Sequence, residues 1–139
     1  MSPPVIRVSA ALITDSAGRV LFVRKRGTTV FMQPGGKPEP GEGAAEALVR
    51  ELEEELGLVV PVGELRLLGT FEADAANEPG HRVVADSFAL VAEAGRVSAR
   101  AEIEEVRWIT QAEASSFPLA PLSVDILLPL AWPGLRPVP

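Results

Sequence analysis

The densest group of carboxylates in this sequence lies between residues 46 and 55. An α-helix turns about 100° per residue, so Glu51, Glu54 and Glu55 share one narrow arc. Like charges at this spacing destabilise a helix unless a cation lies between them. Carboxylate oxygens suit Mg²⁺ or Mn²⁺, which keep several waters and bind substrate phosphates in their remaining positions. The pattern therefore predicts a divalent-cation site, with a solvated charged face as the alternative interpretation.

The helix that carries these acids also has an apolar face and a solvent face. Its apolar stripe lies about 110° from the acids and must pack against a core. The members of this stripe are Ala45, Leu48, Val49, Leu52 and Leu56. Glu46 and Glu53 fall on the opposite side, towards solvent. The pattern predicts a helix from residue 43 or 44 to residue 56, ended by Gly57 in a left-handed conformation.

Alternating apolar segments on both sides of this helix predict a mixed sheet. The predicted strands are residues 5–14 and 19–26, which form a hairpin, and residues 64–73, 82–92 and 106–110. Residues 30–33 are a short extended piece, residues 111–116 start a short helix, and Leu122 to Leu130 form a terminal apolar helix broken by Pro129. This order indicates an α/β fold, a mixed β-sheet sandwiched between α-helices, in a single domain over residues 1–139.

Composition excludes several classes of protein. Lys plus Arg is 13 and Asp plus Glu is 19, a net charge of −6, which argues against a protein that grips a nucleic-acid polymer. A nucleotide ligand is still permitted, because a metal ion can supply positive charge. The absence of cysteine excludes thiolate catalysis and Cys-based metal sites. Without a signal-peptide pattern or an apolar run of about 20 residues, a cytoplasmic protein without membrane contact is expected.

The stretch from Gly36 to Leu58 is similar to the Nudix box. That motif runs glycine, five residues, Glu, seven residues, then Arg-Glu-aliphatic-x-Glu-Glu-x-Gly-aliphatic. This sequence matches it at Gly36, Glu42, Arg50, Glu51, Leu52, Glu54, Glu55, Gly57 and Leu58, with no mismatch. The chain therefore resembles the Nudix hydrolases, which implies the Nudix fold and cleavage of a diphosphate bond in a nucleoside diphosphate linked to another group.

The resemblance also implies a role for each box residue. The implied Mg²⁺ ligands are the Gly36 carbonyl, Glu42, Glu51, Glu54 and Glu55. Glu51, Glu54 and Arg50 are the implied catalytic residues. Glu51 or an acid from a later loop would orient or deprotonate the attacking water, and Arg50 would fix the geometry of the acids. From the residues alone, two roles of Glu42 are equally consistent with its position: a ligand of the metal or water, and an acid that stabilises the N-terminus of the helix.

Five residues outside the helix are candidates for contact with substrate. Arg24 and Arg26 share one face of a predicted strand and could meet phosphates, with a solvated strand end as the alternative. Lys37 follows a double glycine and is the better phosphate candidate by position. Glu102 and Glu104 lie where some Nudix hydrolases supply an extra acid near the metal.

The substrate is less constrained than the reaction. The small size and the Pro-Gly-Gly-Lys sequence ending at Lys37 resemble the MutT-like branch, which favours nucleoside triphosphates. ADP-ribose or nucleotide-sugar hydrolysis and dinucleoside polyphosphate hydrolysis remain alternatives, although residues 73–76 carry neither the proline nor the tyrosine that marks such branches. A non-catalytic nucleotide-binding regulator is the alternative class, and a homodimer through the apolar terminal segment is a further expectation.

Overall fold

One mixed six-stranded sheet forms the centre of the molecule. A computed structural model describes residues 2–132, so the predicted domain limits at residues 1 and 139 lie outside the described residues. The strands are β1 (Val5–Thr14), β2 (Val20–Lys25), β3 (Gly35–Gly36), β4 (Arg66–Asp74), β5 (Arg82–Val91) and β6 (Ile103–Ile109). Their order is β4-β5-β1-β2-β6, with β3 paired to β1. β1 and β5 are parallel, and the other pairs are antiparallel.

Alternation along the strands creates two separate cores. On β1, Ala11 and Ile13 belong to one buried cluster, whereas Ala10 and Leu12 belong to the other. Successive side chains of a strand point to opposite faces, so one strand contributes to both layers. Helix α1 (Ala44–Leu56) covers the first face, and the C-terminal helical segment covers the second. The predicted sheet between helices is confirmed.

Helix α1 has the bounds and the faces that its sequence predicts. It begins at Ala44 and ends at Leu56, and Gly57 follows with φ 64°, in the left-handed region. Leu48, Leu52 and Leu56 are fully buried, and Glu46 and Glu53 are exposed. Among residues 2–132, no helix is long and apolar enough to cross a membrane.

The C-terminal segment differs from its prediction at Pro129. A wide helical turn at Ser123–Leu127 continues into α2 (Leu128–Ala131), and Pro129 lies in the first turn of α2 rather than breaking the helix. Proline has no N–H and so interrupts the regular hydrogen-bond ladder of a helix, and the irregularity falls next to the wide turn, where the Leu128 N–H donates to the Ser123 carbonyl five residues back. Trp132 is 7% exposed, and its Nε1–H donates to the Gly18 carbonyl at 2.8 Å. Trp132 therefore closes the end of the second core.

The predicted hairpin of residues 5–26 is paired only at its turn. β1 and β2 share the single pair Thr14–Val20 and then diverge, because the chain at residues 31–36 lies between them. On one side this segment bridges to β2, through Met32 and Val23, and on the other side β3 pairs with β1. The predicted extended piece at residues 30–33 is present only as bridges at Phe31 and Met32. This divergence opens the sheet where the predicted site lies.

Candidate active site

A cavity of about 320 Å³ occupies the space that the divergence of β1 and β2 creates. It reaches both layers of the molecule, because its wall includes Ser9 and Val23 on the α1 side and Val8 and Leu122 on the other side. Its volume is at the lower end of the range for small-molecule sites in proteins, which is about 300–1,000 Å³. The cavity can therefore hold one small ligand across the sheet.

Three glutamates meet at the α1 end of this cavity. One carboxylate oxygen each from Glu51, Glu55 and Glu102 lies within 4.8 Å of the others. Glu51 and Glu55 are one turn apart on α1, and Glu102 immediately precedes β6. Glu55 is 1% exposed, whereas Glu102 is open to solvent. The set consists only of carboxylate oxygens, which are the ligands that Mg²⁺ and Mn²⁺ prefer.

Burial and mutual repulsion disfavour the charged forms of the cluster acids. Burial raises the pKa of Glu55 to about 8, although the Gly35 N–H donates to its Oε1 at 3.1 Å and favours the charged form. Repulsion from Glu51 and Glu102 raises the pKa of Glu55 further. Burial also raises the pKa of Glu51. A cation among these oxygens would stabilise the ionised acids, so the donor set fits a divalent metal.

Two glycines let the loop approach the acids closely. A Cβ on Gly36 would lie 2.6 Å from the carboxyl carbon of Glu51. A Cβ on Gly35, whose φ is +147°, would collide with the carbonyl oxygen of Ser9 on β1. Any side chain at these two positions would displace either a carboxylate or a strand.

Arg50 joins the loop to helix α1. Its Nε and Nη2 donate to the two carboxylate oxygens of Glu42 at 2.9 and 2.8 Å, and Nη2 also reaches the Lys37 carbonyl at 3.1 Å. Its Nη1 donates to Glu51 at 2.9 Å and to Glu54 at 3.4 Å. These bonds hold the pKa of Glu42 down at about 2. Arg50 thus fixes the position of the Glu51 carboxylate beside the cavity.

The structure divides the predicted metal ligands into two groups. Glu51 and Glu55 lie in the cluster, and Gly36 lies against Glu51. Within residues 2–132, Glu42 and Glu54 are not brought into the cluster. Glu42 binds Arg50 with both oxygens, which differs from both interpretations of its role in the sequence. The Glu54 side chain is 54% exposed and contacts Arg50.

The five candidates for substrate contact are also divided. Lys37 and Glu102 line the cavity. In the described part of the chain, Arg24, Arg26 and Glu104 are not among its lining residues. Instead, an Nη2 of Arg24 lies 3.2 Å from Glu105, and Nε of Arg26 lies 3.2 Å from Glu104. Both arginines are thus engaged by glutamates of the neighbouring strand, Arg24 with a side chain that is 23% exposed and Arg26 at the surface.

Two polar residues in the wall of the cavity, Lys25 and Gln33, are not among the candidates that the sequence suggests. Lys25 lines the cavity between the two arginines that were chosen. Leu21 and Val23 pack in the core under α1, so the alternation of β2 already pointed Lys25 to the side of the acids. Gln33 also lines the cavity. It ends the extended piece that is predicted at residues 30–33, but its place in the wall depends on the insertion of this segment between β1 and β2, which the strand patterns do not predict.

Comparisons with known proteins agree with this geometry. The NUDIX domain model matches residues 3–128. The CTP pyrophosphohydrolase of Escherichia coli is 31% identical over 127 residues, covering 88% of this chain and 89% of that protein. The ADP-ribose pyrophosphatase of Methanocaldococcus jannaschii is 30% identical over 108 residues, covering 76% of this chain and 61% of that protein. The solution structure of the E. coli ORF135 protein superposes with a TM-score of 0.70 at 27% identity, covering 99% of this chain and 96% of that one.

Proposed function

This chain belongs to the Nudix family and is a Nudix hydrolase, and from that membership we propose that it cleaves a nucleoside triphosphate. Water and the triphosphate would yield a nucleoside monophosphate and inorganic diphosphate. The observation that carries the proposal is the acid cluster of Glu51, Glu55 and Glu102 at one end of a cavity that Lys25 and Lys37 also line. Such a site offers metal ligands and cationic side chains to one polyphosphate.

We assign Mg²⁺, or Mn²⁺, to the acid cluster, where the bound ion would neutralise charge on the phosphoryl group and lower the pKa of a water. Glu51 and Glu55 hold it, and the Gly36 carbonyl is a further ligand. Glu54 can join them, because its half-exposed side chain keeps only a long contact of 3.4 Å with Arg50. Glu102, which is exposed at the cavity, accepts the proton of the attacking water.

The size of the cavity favours one nucleoside over two. Lys25 and Lys37 bind the phosphate oxygens, and the apolar wall beyond them, at Val8, Val83 and Leu122, receives the base. A volume of about 320 Å³ is near the lower end of the range for small-molecule sites, which favours a substrate with one nucleoside over a dinucleoside polyphosphate. The similarity to an E. coli enzyme named for CTP makes CTP the first triphosphate to assay. ADP-ribose is the second candidate, because a relative named for it matches 76% of this chain.

A substrate panel tests the proposal. The purified protein is incubated with CTP, dGTP, ADP-ribose and a dinucleoside tetraphosphate, with Mg²⁺ or with a chelator, and released phosphate and diphosphate are separated. We expect metal-dependent release of diphosphate from a triphosphate, faster than any cleavage of ADP-ribose. Faster cleavage of ADP-ribose would replace the proposed substrate. Tight binding of one nucleotide with no hydrolysis of any would instead favour the non-catalytic regulator.

Arg50→Lys should lower kcat about 10- to 100-fold with a nearly intact fold. Lysine carries a single ammonium group, which cannot form two parallel bonds to Glu42 and a third bond to Glu51. Loss of residues that orient metal ligands typically costs this factor. Steady-state kinetics at saturating Mg²⁺ checks the prediction, with Arg96→Lys as a control at an exposed site. Equal rates for Arg50→Lys and the parent would contradict the orienting role.

Metal binding should tighten as pH rises towards 8. Burial raises the pKa of Glu55 to about 8, so below that pH the bound cation must displace a proton. The apparent affinity for Mn²⁺ should therefore rise by up to about tenfold per pH unit and level off above the pKa. Calorimetric titration in buffers of different ionisation enthalpy measures the released proton. Glu55→Gln should remove this pH dependence, and Glu53→Gln should retain it.

A further inference from the structure

Gln33 presents a buried donor that has no partner. Its side chain is 6% exposed and lies in the wall of the cavity. The Ser123 hydroxyl donates to Gln33 Oε1. Nε2 of Gln33 has no hydrogen-bond partner among the described residues 2–132. The empty cavity thus faces an amide whose acceptor is engaged and whose N–H groups are free.

An unpaired donor in this position carries a cost. A primary amide has two N–H groups, and leaving them buried without acceptors destabilises the protein. Most such groups in folded proteins are paired, so an exception calls for an acceptor that is supplied from outside. Ser123 is fully buried at the start of the C-terminal helical segment, so its hydroxyl is held beside the Gln33 amide.

Gln33 lies away from the acid cluster, at the end of the cavity that faces the C-terminal layer. The segment from Gln33 to Gly36 runs from the C-terminal layer to the acid cluster, since Gln33 bonds to Ser123 and Gly36 abuts Glu51. Phosphates are bound at the acid end, so the group that reaches Gln33 is at the opposite end of the same ligand. In a nucleotide that group is the base, whose ring carbonyls and unprotonated ring nitrogens are acceptors.

Resting on the proposed function, we infer that Gln33 is a specificity-determining residue that donates through Nε2 to an acceptor on the nucleobase. The ligand class is a nucleoside triphosphate whose base turns a carbonyl oxygen or a ring nitrogen towards the C-terminal layer. Cytosine offers both in adjacent positions. Ser123 is a positioning residue that acts through Gln33.

Gln33→Met tests the inference, because methionine has a similar length and no donor. The probes are CTP and ribose 5-triphosphate, which has the same phosphates and no base. We expect the ratio of kcat/KM for CTP to that for ribose 5-triphosphate to fall about tenfold, through KM for CTP. Removal of the unpaired donor should leave the melting temperature of the free protein unchanged or higher. Gln111→Met, at an exposed position, should leave the ratio unchanged.

Other results would overturn the inference. An unchanged ratio, or equal losses for both substrates together with a lower melting temperature, assigns Gln33 a structural role only. If Gln33→Met fails to fold, the double variant Gln33→Met/Ser123→Ala removes both partners and takes its place. If the parent protein hydrolyses no nucleoside triphosphate of the substrate panel, the proposed function fails. The inference is then tested by titrating the parent protein and Gln33→Met with CTP and with ribose 5-triphosphate in Mg²⁺. Weaker binding of CTP alone to the variant supports the inference, and equal effects on both ligands overturn it.

Discussion

Glu51→Gln should lower kcat about 10³-fold with Mg²⁺ and the best nucleotide of the panel. Among the three cluster acids, Glu51 is the one that also receives a bond from Arg50, at 2.9 Å, so its loss removes a metal ligand and one carboxylate partner of the guanidinium together. Removal of one preorganised group that stabilises developing charge costs about 10²–10³ in kcat, and loss of metal affinity adds to this. The measurement is steady-state hydrolysis over a range of Mg²⁺ concentrations.

Glu53→Gln is the matched control for this experiment. Glu53 lies on the same helix two residues away and is exposed, so its substitution should leave kcat within about twofold of the parent. Unfolding should show that Glu51→Gln is as stable as the parent, or more so, because it removes one of three neighbouring negative charges. A Glu51→Gln protein with more than a tenth of the parental kcat would contradict the assignment of Glu51 to the metal.

Gly35→Ala should lower the free energy of unfolding by about 3 kcal/mol or more. The added Cβ would collide with the Ser9 carbonyl, which is backbone of the central strand β1 and cannot rotate away. The φ of +147° is itself unfavourable for alanine, and such strain costs about 1–3 kcal/mol before the collision is counted. Urea denaturation followed by circular dichroism measures the difference.

Gly95→Ala separates this effect from a general cost of removing glycine. A Cβ at Gly95 would meet nothing within 4 Å, and its φ is not positive, so the stability should change by less than about 0.5 kcal/mol. Comparable losses in the two variants would mean that the packing of Gly35 against β1 is not responsible.

Helix α1 could be predicted from the sequence because its information is local. The positions of Leu48, Leu52 and Leu56 set the buried face, and the turn angle placed Glu51 and Glu55 on the side of the site. Gly57 ends the helix in a left-handed conformation that glycine adopts without strain. Glu102 was suggested only by resemblance, because its approach to Glu55 depends on the path of the chain into β6.

The partners of Arg50, Glu42 and Glu54 could not be predicted from spacing along a helix. Arg50 reaches Glu42 because the loop before α1 folds back, which no helical period describes. Likewise, alternation shows which residues of a strand share a face, but not which side chains of other elements they contact. Arg24 and Arg26 are predicted as phosphate contacts, but the pairing of β2 with β6 places Arg24 beside Glu105, and Arg26 forms an ion pair with Glu104.

Because β1 and β2 diverge, the residues that cleave the substrate and those that contact its base lie in different layers of the molecule. The cleavage machinery rests on α1 and its core, whereas Gln33 and Ser123 rest on the C-terminal layer and its separate core. Substitutions at distant sites without shared partners act nearly independently. Substitutions in the C-terminal layer could therefore change the base specificity of such a protein without changing the residues that hydrolyse the substrate.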